Sequence, residues 1–332
     1  MRIAVVGAGA MGSLLGGLLA ERGEDVLLVG RSAHVEAIRR EGLYLGGVVG
    51  ERVVRLEGSE QLRERPDLTV FAVKTQDLDA ACRAAAPLLG RGTVVTMQNG
   101  VRCDAIARRH FAPEQIVGCV AYSMATFLEP GRVQCWVRGY LALGTPFGTS
   151  NGIRSGRLGM AEATLKKALP VRTSRDIGAT RWTKLLGNLN NALPAATGLP
   201  LQEIFLGRPT SRLPLRLMRE GLSILSAARV RTDGSPQAAA LSLVARLPEP
   251  ATTSLLRGVA RTRLGKIPMF GSTWQSVVRG SRTEIDYLNG EIVALGERVG
   301  LAAPYNERVV RLVHDVERSG EFYPPEALWP RA

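Results

Sequence analysis

Histidine, cysteine and lysine are scarce in this chain of 332 residues, and each shortage narrows the functions open to it. Three histidines (His34, His110, His314) and four cysteines (Cys82, Cys103, Cys119, Cys135) are scattered, with no C-x-x-C pair. No metal-ligand spacing and no disulfide framework result, so a reduced, cytoplasmic protein without a metal is expected. Aromatic residues are 5% of the chain, and no finger or RNA-binding signature accompanies them. The net charge of +13 raises nucleic acid as a partner. The basic residues are dispersed, however, and anionic small molecules account for the charge at least as well. After residue 20 no apolar run approaches the length of a membrane span.

Lysine supplies five of the 43 basic residues (Lys74, Lys166, Lys167, Lys184, Lys266), and arginine the other 38. A GC-rich coding bias explains that ratio. Under such a bias a retained lysine is worth attention, because a titratable ammonium can do what guanidinium cannot.

Glycine, by contrast, is abundant at 37 residues. The chain opens with the β-branched run Ile3 to Val6, the composition of a strand buried on both faces. Gly7-Ala8-Gly9-Ala10-Met11-Gly12 follows in G-x-G-x-x-G spacing. The first glycine permits a tight turn, the second lets backbone approach a pyrophosphate, and the third allows close helix–strand packing. A helix from Met11 to about Arg22 presents its N-terminal N–H groups to that pyrophosphate. A second strand, Val26 to Val29, then closes a βαβ unit. The uncharged stretch Ile3 to Ala20 also admits a signal peptide or short membrane span. A single preceding basic residue and five interspersed glycines speak against it.

After Val29 an NAD site usually carries an acidic residue for the ribose hydroxyls. Here Gly30-Arg31-Ser32 stands instead, and Arg31 suits the 2′-phosphate of NADP(H). Leu43 to Leu56 predicts a small strand pair. Leu68 to Val73 and Thr93 to Met97 predict buried strands that end in Lys74-Thr75 and Gln98-Asn99-Gly100. Ligands of open parallel sheets sit beyond the carboxyl ends of strands, where Lys74 and Asn99 fall. A solvated strand end and a plain Asn-Gly turn are the bland alternatives. Ile116 to Tyr122, Arg132 to Val137 and Tyr140 to Leu143 predict further strands, and Asn151 to Leu169 a helix. Composition then shifts, at about residues 170–178, to an almost wholly helical pattern.

That second half begins with Thr180 to Leu193, read as one helix. Trp182, Leu185, Leu186, Leu189 and Leu193 share a broad apolar side, while Lys184, Asn188 and Asn191 lie opposite. A stripe of lysine, asparagine and small neighbours suits a cleft wall, and an ordinary wet face is the alternative. Near the end, Gly271 to Gly290 contains Ser272-Thr273-Trp274-Gln275 and Thr283-Glu284-Ile285-Asp286-Tyr287-Leu288-Asn289-Gly290. Ser281 to Glu284 matches a capping box, which a catalytic carboxylate at Glu284 does not preclude.

Taken together, the glycine loop, Val73-Lys74-Thr75, Gln98-Asn99-Gly100, Trp182-x-Lys184-Leu-x-x-Asn188 and Thr283 to Gly290 resemble the ketopantoate reductase (2-dehydropantoate 2-reductase) family over nearly the whole chain. The resemblance implies an α/β fold: an N-terminal Rossmann-type parallel sheet domain, placed at residues 1–174, then an all-helical domain for substrate and dimerisation, 175–332. It implies NADPH-dependent reduction of the ketone of ketopantoate to D-pantoate, in the route to pantothenate and coenzyme A. Lys184 would be the general acid and Glu284 a catalytic carboxylate that positions substrate or the lysine. Asn188, Asn191, Ser272 and Asn99 would bind the anionic 2-oxo acid. Gly7, Ala8, Gly9, Ala10, Met11, Gly12, Arg31, Lys74, Asn99 and Glu284 would bind the cofactor. No nucleic acid, membrane or metal is implied, and a homodimer through the helical domain is one use of its apolar faces. The chain departs from the family pattern at Ala192, where an Asn is usual, at Ser272 to Ser276, which gains Trp274, and at Val101-Arg102. A paralogue acting on another 2-oxo acid or imine, and a non-catalytic NADP(H) sensor, are the competing expectations.

Overall fold

In the computed structural model, which describes residues 1–147, 156–207, 210–260 and 269–329, the chain separates into two units, Met1–Thr180 and Arg181–Ala332. Lys266 and the first residues of the helix expected from Asn151 lie outside the described residues.

The first unit runs β1 Arg2–Val6, α1 Ala10–Glu21, β2 Asp25–Val29, α2 Ser32–Glu41, β3 Leu43–Gly47, β4 Arg52–Val54, β5 Glu57–Ser59, β6 Leu68–Phe71, α3 Thr75–Leu89, β7 Thr93–Thr96 and α4 Cys103–Ala107. It continues with β8 Ile116–Ala121, β9 Met124–Glu129, β10 Arg132–Val137, β11 Leu141–Gly144, α5 Gly156–Leu165 and β12 Val171–Thr173. The main sheet has the order β12-β11-β8-β7-β6-β1-β2-β5. It is parallel except where β11 meets β8 antiparallel. The fold is therefore α/β with a Rossmann-type sheet.

Its register does the positioning. Val6 lies beside Val29 on one side and Phe71 on the other, and Phe71 lies beside Thr96. The chain thus leaves β1, β2, β6 and β7 along one edge, at the point where the strand order reverses around β1.

The strand pair expected from Leu43 to Leu56 forms as β3 and β4. It does not stand alone, because β10 and β9 extend it to a four-stranded sheet. α1 packs against both sheets, so its Gly12-to-Leu19 stretch is buried without interruption. A Cβ on Gly16 would reach Leu28 at 3.3 Å, and one on Gly17 would reach Leu43 at 2.9 Å. The glycines thus narrow the helix between two layers. This is why Ile3 to Ala20 carries no charge: it is a strand and a helix of one core. No helix among the described residues is long and apolar enough to cross a membrane.

The second unit, entered within α6 Ile177–Asn188, is helical: a 3-10 turn Leu189–Asn191 follows, then α7 Ala192–Thr197, α8 Leu201–Leu206, α9 Leu213–Ala227, α10 Pro236–Arg246 and α11 Glu249–Ala260. Then come α12 Gly271–Val278, a 3-10 turn Ile285–Tyr287, α13 Asn289–Val299, α14 Pro304–Ser319 and a 3-10 turn Pro325–Leu328. Leu185, Leu186, Leu189 and Leu193 are buried, as their spacing predicts. A Cβ on Gly221 of α9 would sit 2.7 Å from Leu186, so that glycine lets α9 close on α6.

The structure departs from the sequence pattern in two places. The helix read through Thr180–Leu193 tightens to a 3-10 turn after Asn188, so Asn191 does not follow the α-helical wheel on which it was placed. The Leu189 carbonyl at that break accepts the Ala192 N–H and also Nδ2 of Asn289, the latter at 3.1 Å. Asn289 also donates to Oδ1 of Asn306, whose Nδ2 donates to Glu220, and both asparagines are fully buried. Nor does a helix follow Ser281 directly: residues 281–284 are non-helical, and α13 starts only at Asn289. The Ser281 hydroxyl donates to the Ser276 carbonyl, and Thr283 Oγ1 accepts from the Ile285 N–H.

Candidate functional site

Within the first unit, the glycine loop leaves β1 with the Gly7 and Ala8 N–H groups donating to the Val29 carbonyl at 2.9 and 3.0 Å. Gly7 has φ +112°, open only to glycine, and a Cβ there would collide with the Val73 N–H. A Cβ on Gly12 would collide with the Gly7 carbonyl. A Cβ on Gly9 would meet nothing within 4 Å. Two of the three glycines thus close the fold, and the third faces open space at the start of α1. No side chain caps that helix, and no acidic residue stands in its first turn. An open backbone cradle with uncapped, positively polarised N–H groups fits a dinucleotide pyrophosphate.

The neighbouring loops converge on the same edge. Gly30 abuts Ala8, where a Cβ would lie 2.5 Å from that side chain. Arg31 then starts α2 with an exposed side chain that no described residue pairs with. Lys74 sits at the N-terminus of α3, half-buried. Its loop is stitched to the Asn99 loop by Thr75 Oγ1, which donates to the Asn99 carbonyl at 3.0 Å. Gln98 Nε2 donates to the Phe71 and Val73 carbonyls at 2.8 and 3.2 Å. Gly100, at φ +82°, makes the turn that follows. Gly7 to Gly12, Arg31, Lys74 and Asn99 therefore share one edge of the sheet.

His34 locks this edge from behind, a role that no motif in the sequence signals. The buried ring lies between Ser13 of α1 and Gly131 of the β9–β10 turn. The Gly131 N–H donates to Nδ1 at 2.8 Å, so Nε2 carries the proton and donates to Ser13 Oγ at 2.9 Å. Burial pushes the pKa from 6.5 down to about 4. The unfolded chain therefore binds the extra proton first as pH falls. Stability is intact above pH 6.5 and is lost progressively down to pH 4, by roughly 3 kcal/mol at most. Urea titrations across that range should show the loss, and His34→Gln should flatten it. An unchanged slope in the variant would contradict the assignment.

Within the second unit, Lys184 and Asn188 lie one turn apart on α6, both half-buried. The neighbouring Thr183 anchors the helix: its hydroxyl donates to Asp233 Oδ1 and accepts from the Asp233 N–H, at 3.1 and 3.0 Å. Asn191, in the 3-10 turn, packs against Gly271, where a Cβ would lie 2.7 Å from its Oδ1. Gly271 adopts φ +74° and directly precedes Ser272, which is exposed at the start of α12. The structure so brings Asn191 beside the residue before Ser272. Trp274 is two residues further round α12, about 200° from Ser272, and stacks on Phe270 at 4.0 Å. Its bulk is directed away from the serine. Ala192, where the pattern predicts Asn, is fully buried. Glu284 is half-buried just before the Ile285–Tyr287 turn. Among the described residues no group of three or more His, Cys, Asp or Glu is placed to hold a metal.

Residues 3–146 match the family model described as ketopantoate reductase PanE/ApbA, and residues 176–317 match its C-terminal counterpart. A protein of Pyrococcus abyssi named 2-dehydropantoate 2-reductase is 31% identical, covering 92% of this chain and 94% of its own. One of Mesorhizobium japonicum with the same name is also 31% identical, covering 94% and 97%. The crystal structure of a PanE/ApbA family ketopantoate reductase from Ralstonia eutropha superposes with a TM-score of 0.80 at 30% identity, covering 96% and 99%.

Proposed function

The chain belongs to the ketopantoate reductase PanE/ApbA family of pyridine-nucleotide oxidoreductases, and from this premise we propose that it reduces ketopantoate to D-pantoate with NADPH in the cytoplasm. The observation that carries the reading is the end-to-end match to relatives named 2-dehydropantoate 2-reductase.

Gly7 to Gly12 and the N-terminus of α1 would hold the pyrophosphate, Arg31 the 2′-phosphate, and Lys74 and Asn99 the nicotinamide side. Bound there, the nicotinamide supplies hydride to the substrate ketone. The residues of the chain supply the rest. The Lys184 ammonium stabilises the alkoxide that develops on the ketone oxygen and gives it a proton. Asn188, Asn191 and Ser272 orient the 2-oxo acid, and Glu284 sets the position of the lysine or of the substrate. Arginine at 184 would keep the charge but not the proton at neutral pH. The excess of positive charge, +13, favours capture of an anionic substrate.

Mixing the protein with NADPH and ketopantoate tests this, with the product resolved by chiral chromatography. NADPH loss matched by D-pantoate is expected. NADPH binding without turnover of any 2-oxo acid would leave the sensor alternative in its place. Ala192 favours a second reading, reduction of a different 2-oxo acid, because its methyl offers no amide where the family pattern has Asn. Turnover of a panel of 2-oxo acids separates the two.

Arg31 gives a separate expectation. A charge-assisted contact to the 2′-phosphate is worth about 1.5–3 kcal/mol. Arg31→Ala should thus raise Kd for NADPH by roughly ten- to hundredfold and leave Kd for NADH unchanged. Equal losses for both cofactors in fluorescence titrations would remove Arg31 from that role.

A further inference from the structure

His314, on α14, has a carboxylate at each ring nitrogen. Nδ1 lies 2.9 Å from Glu317 Oε2, and Nε2 lies 2.8 Å from Asp286 Oδ1. Neither carboxylate can donate when ionised. A neutral imidazole carries one N–H, so it would serve one partner and point a lone pair at the other. Only the imidazolium satisfies both, and the ring is therefore charged in this arrangement. The balance of causes agrees. Burial opposes the charge, but the two carboxylates outweigh it and hold the pKa above 6.5.

The ring does more than pair charges. The other oxygen of Glu317, Oε1, accepts the Thr283 N–H at 2.6 Å. Asp286 belongs to the 3-10 turn Ile285–Tyr287. The residue before Glu284 and the residue two after it are thus both tied to α14, and His314 joins the two ties. Asp286 from that turn and Glu317 from α14 itself are the charged groups that meet the ring among the described residues. Glu220 of α9 is committed to the Tyr305 and Asn306 N–H groups instead.

We propose that His314 is a positioning residue for Glu284, its imidazolium clamping Asp286 and Glu317 so that the backbone on both sides of the Glu284 carboxylate is fixed. This rests on the role given to Glu284 above. The clamp is fully closed below the unfolded-state pKa of 6.5 and opens as pH rises through the higher folded value. Activity should share that alkaline limb, because a carboxylate displaced by an ångström costs catalysis heavily.

The test combines three measurements on wild type, His314→Gln and Asp286→Asn. They are the NMR titration of the His314 ring, hydrogen-exchange protection of the 283–288 amides without ligands, and the pH profiles of kcat and KM. Wild-type His314 should titrate above 6.5. In His314→Gln, protection of those amides should drop and kcat should fall roughly ten- to hundredfold. The part of its alkaline limb that follows the His314 titration should vanish. In Asp286→Asn the ring pKa and the limb should both move down, in a protein that keeps its fold because Asp286 is exposed. Unchanged protection in His314→Gln overturns the clamp. Lost protection with unchanged kcat and pH profile overturns the positioning role. A wild type that turns over no 2-oxo acid counts against the proposed function alone, and titration and protection then still judge the clamp.

Discussion

Lys184→Ala lowers kcat for ketopantoate reduction by about 10²- to 10⁴-fold, the range a positioned general acid contributes, while Kd for NADPH stays at the wild-type value. The two outcomes separate because Lys184 is assigned to the reacting ketone and the glycine loop to the pyrophosphate. Lys184→Arg is the sharper control. Guanidinium keeps a positive charge near the developing alkoxide, so part of the electrostatic stabilisation survives. It cannot release a proton at neutral pH, so the acid contribution is lost. The arginine variant should therefore fall between wild type and alanine. Small exogenous amines should restore part of the alanine variant's rate by delivering the missing proton. If alanine retains more than a tenth of wild-type kcat, the proton comes from elsewhere.

The second large effect divides the glycines of the opening loop. Gly12→Ala places a methyl into the Gly7 carbonyl, and relief requires a backbone shift. Overpacking of this kind costs roughly 1–3 kcal/mol, or about 2–12 °C in Tm for a unit the size of Met1–Thr180. Dinucleotide binding should fall with it. Gly9→Ala adds a methyl that meets nothing within 4 Å. It should leave Tm unchanged and raise Kd for NADPH by about tenfold or more, because the methyl occupies the space the pyrophosphate needs. Thermal melts with and without NADPH decide the matter. A Gly9→Ala protein with wild-type affinity would show that the open side of the loop is not where the cofactor lies.

Periodicity made most of the fold legible, but only where one element decides its own conformation. β1, α1 and β2 follow from a β-branched run, three glycines and a second apolar run. The edge that gathers Arg31, Lys74 and Asn99 follows from strand ends in a parallel sheet. What stayed hidden depends on distant partners. Nothing local in Leu43 to Leu56 shows that β3 will pair with β10, some ninety residues on. The break after Asn188 is equally silent, since Leu189-Asn190-Asn191 is compatible with continued helix. A distant residue supports it, since Asn289 adds a second donor to the Leu189 carbonyl. The same holds for His34 and His314. Three scattered histidines offer no metal-ligand spacing, and the sequence does not say that one will be buried neutral between Ser13 and Gly131 and another held charged between two carboxylates.

Hydride delivery to the ketone is the central claim, and isotope transfer tests it most directly. NADPH carrying deuterium at the transferable position of the nicotinamide ring is mixed with ketopantoate and the wild-type protein, and the product is examined by NMR. The account predicts D-pantoate with one deuterium on C2, the former ketone carbon. Oxidation of the cofactor without deuterium at that carbon, or no oxidation at all, would contradict it.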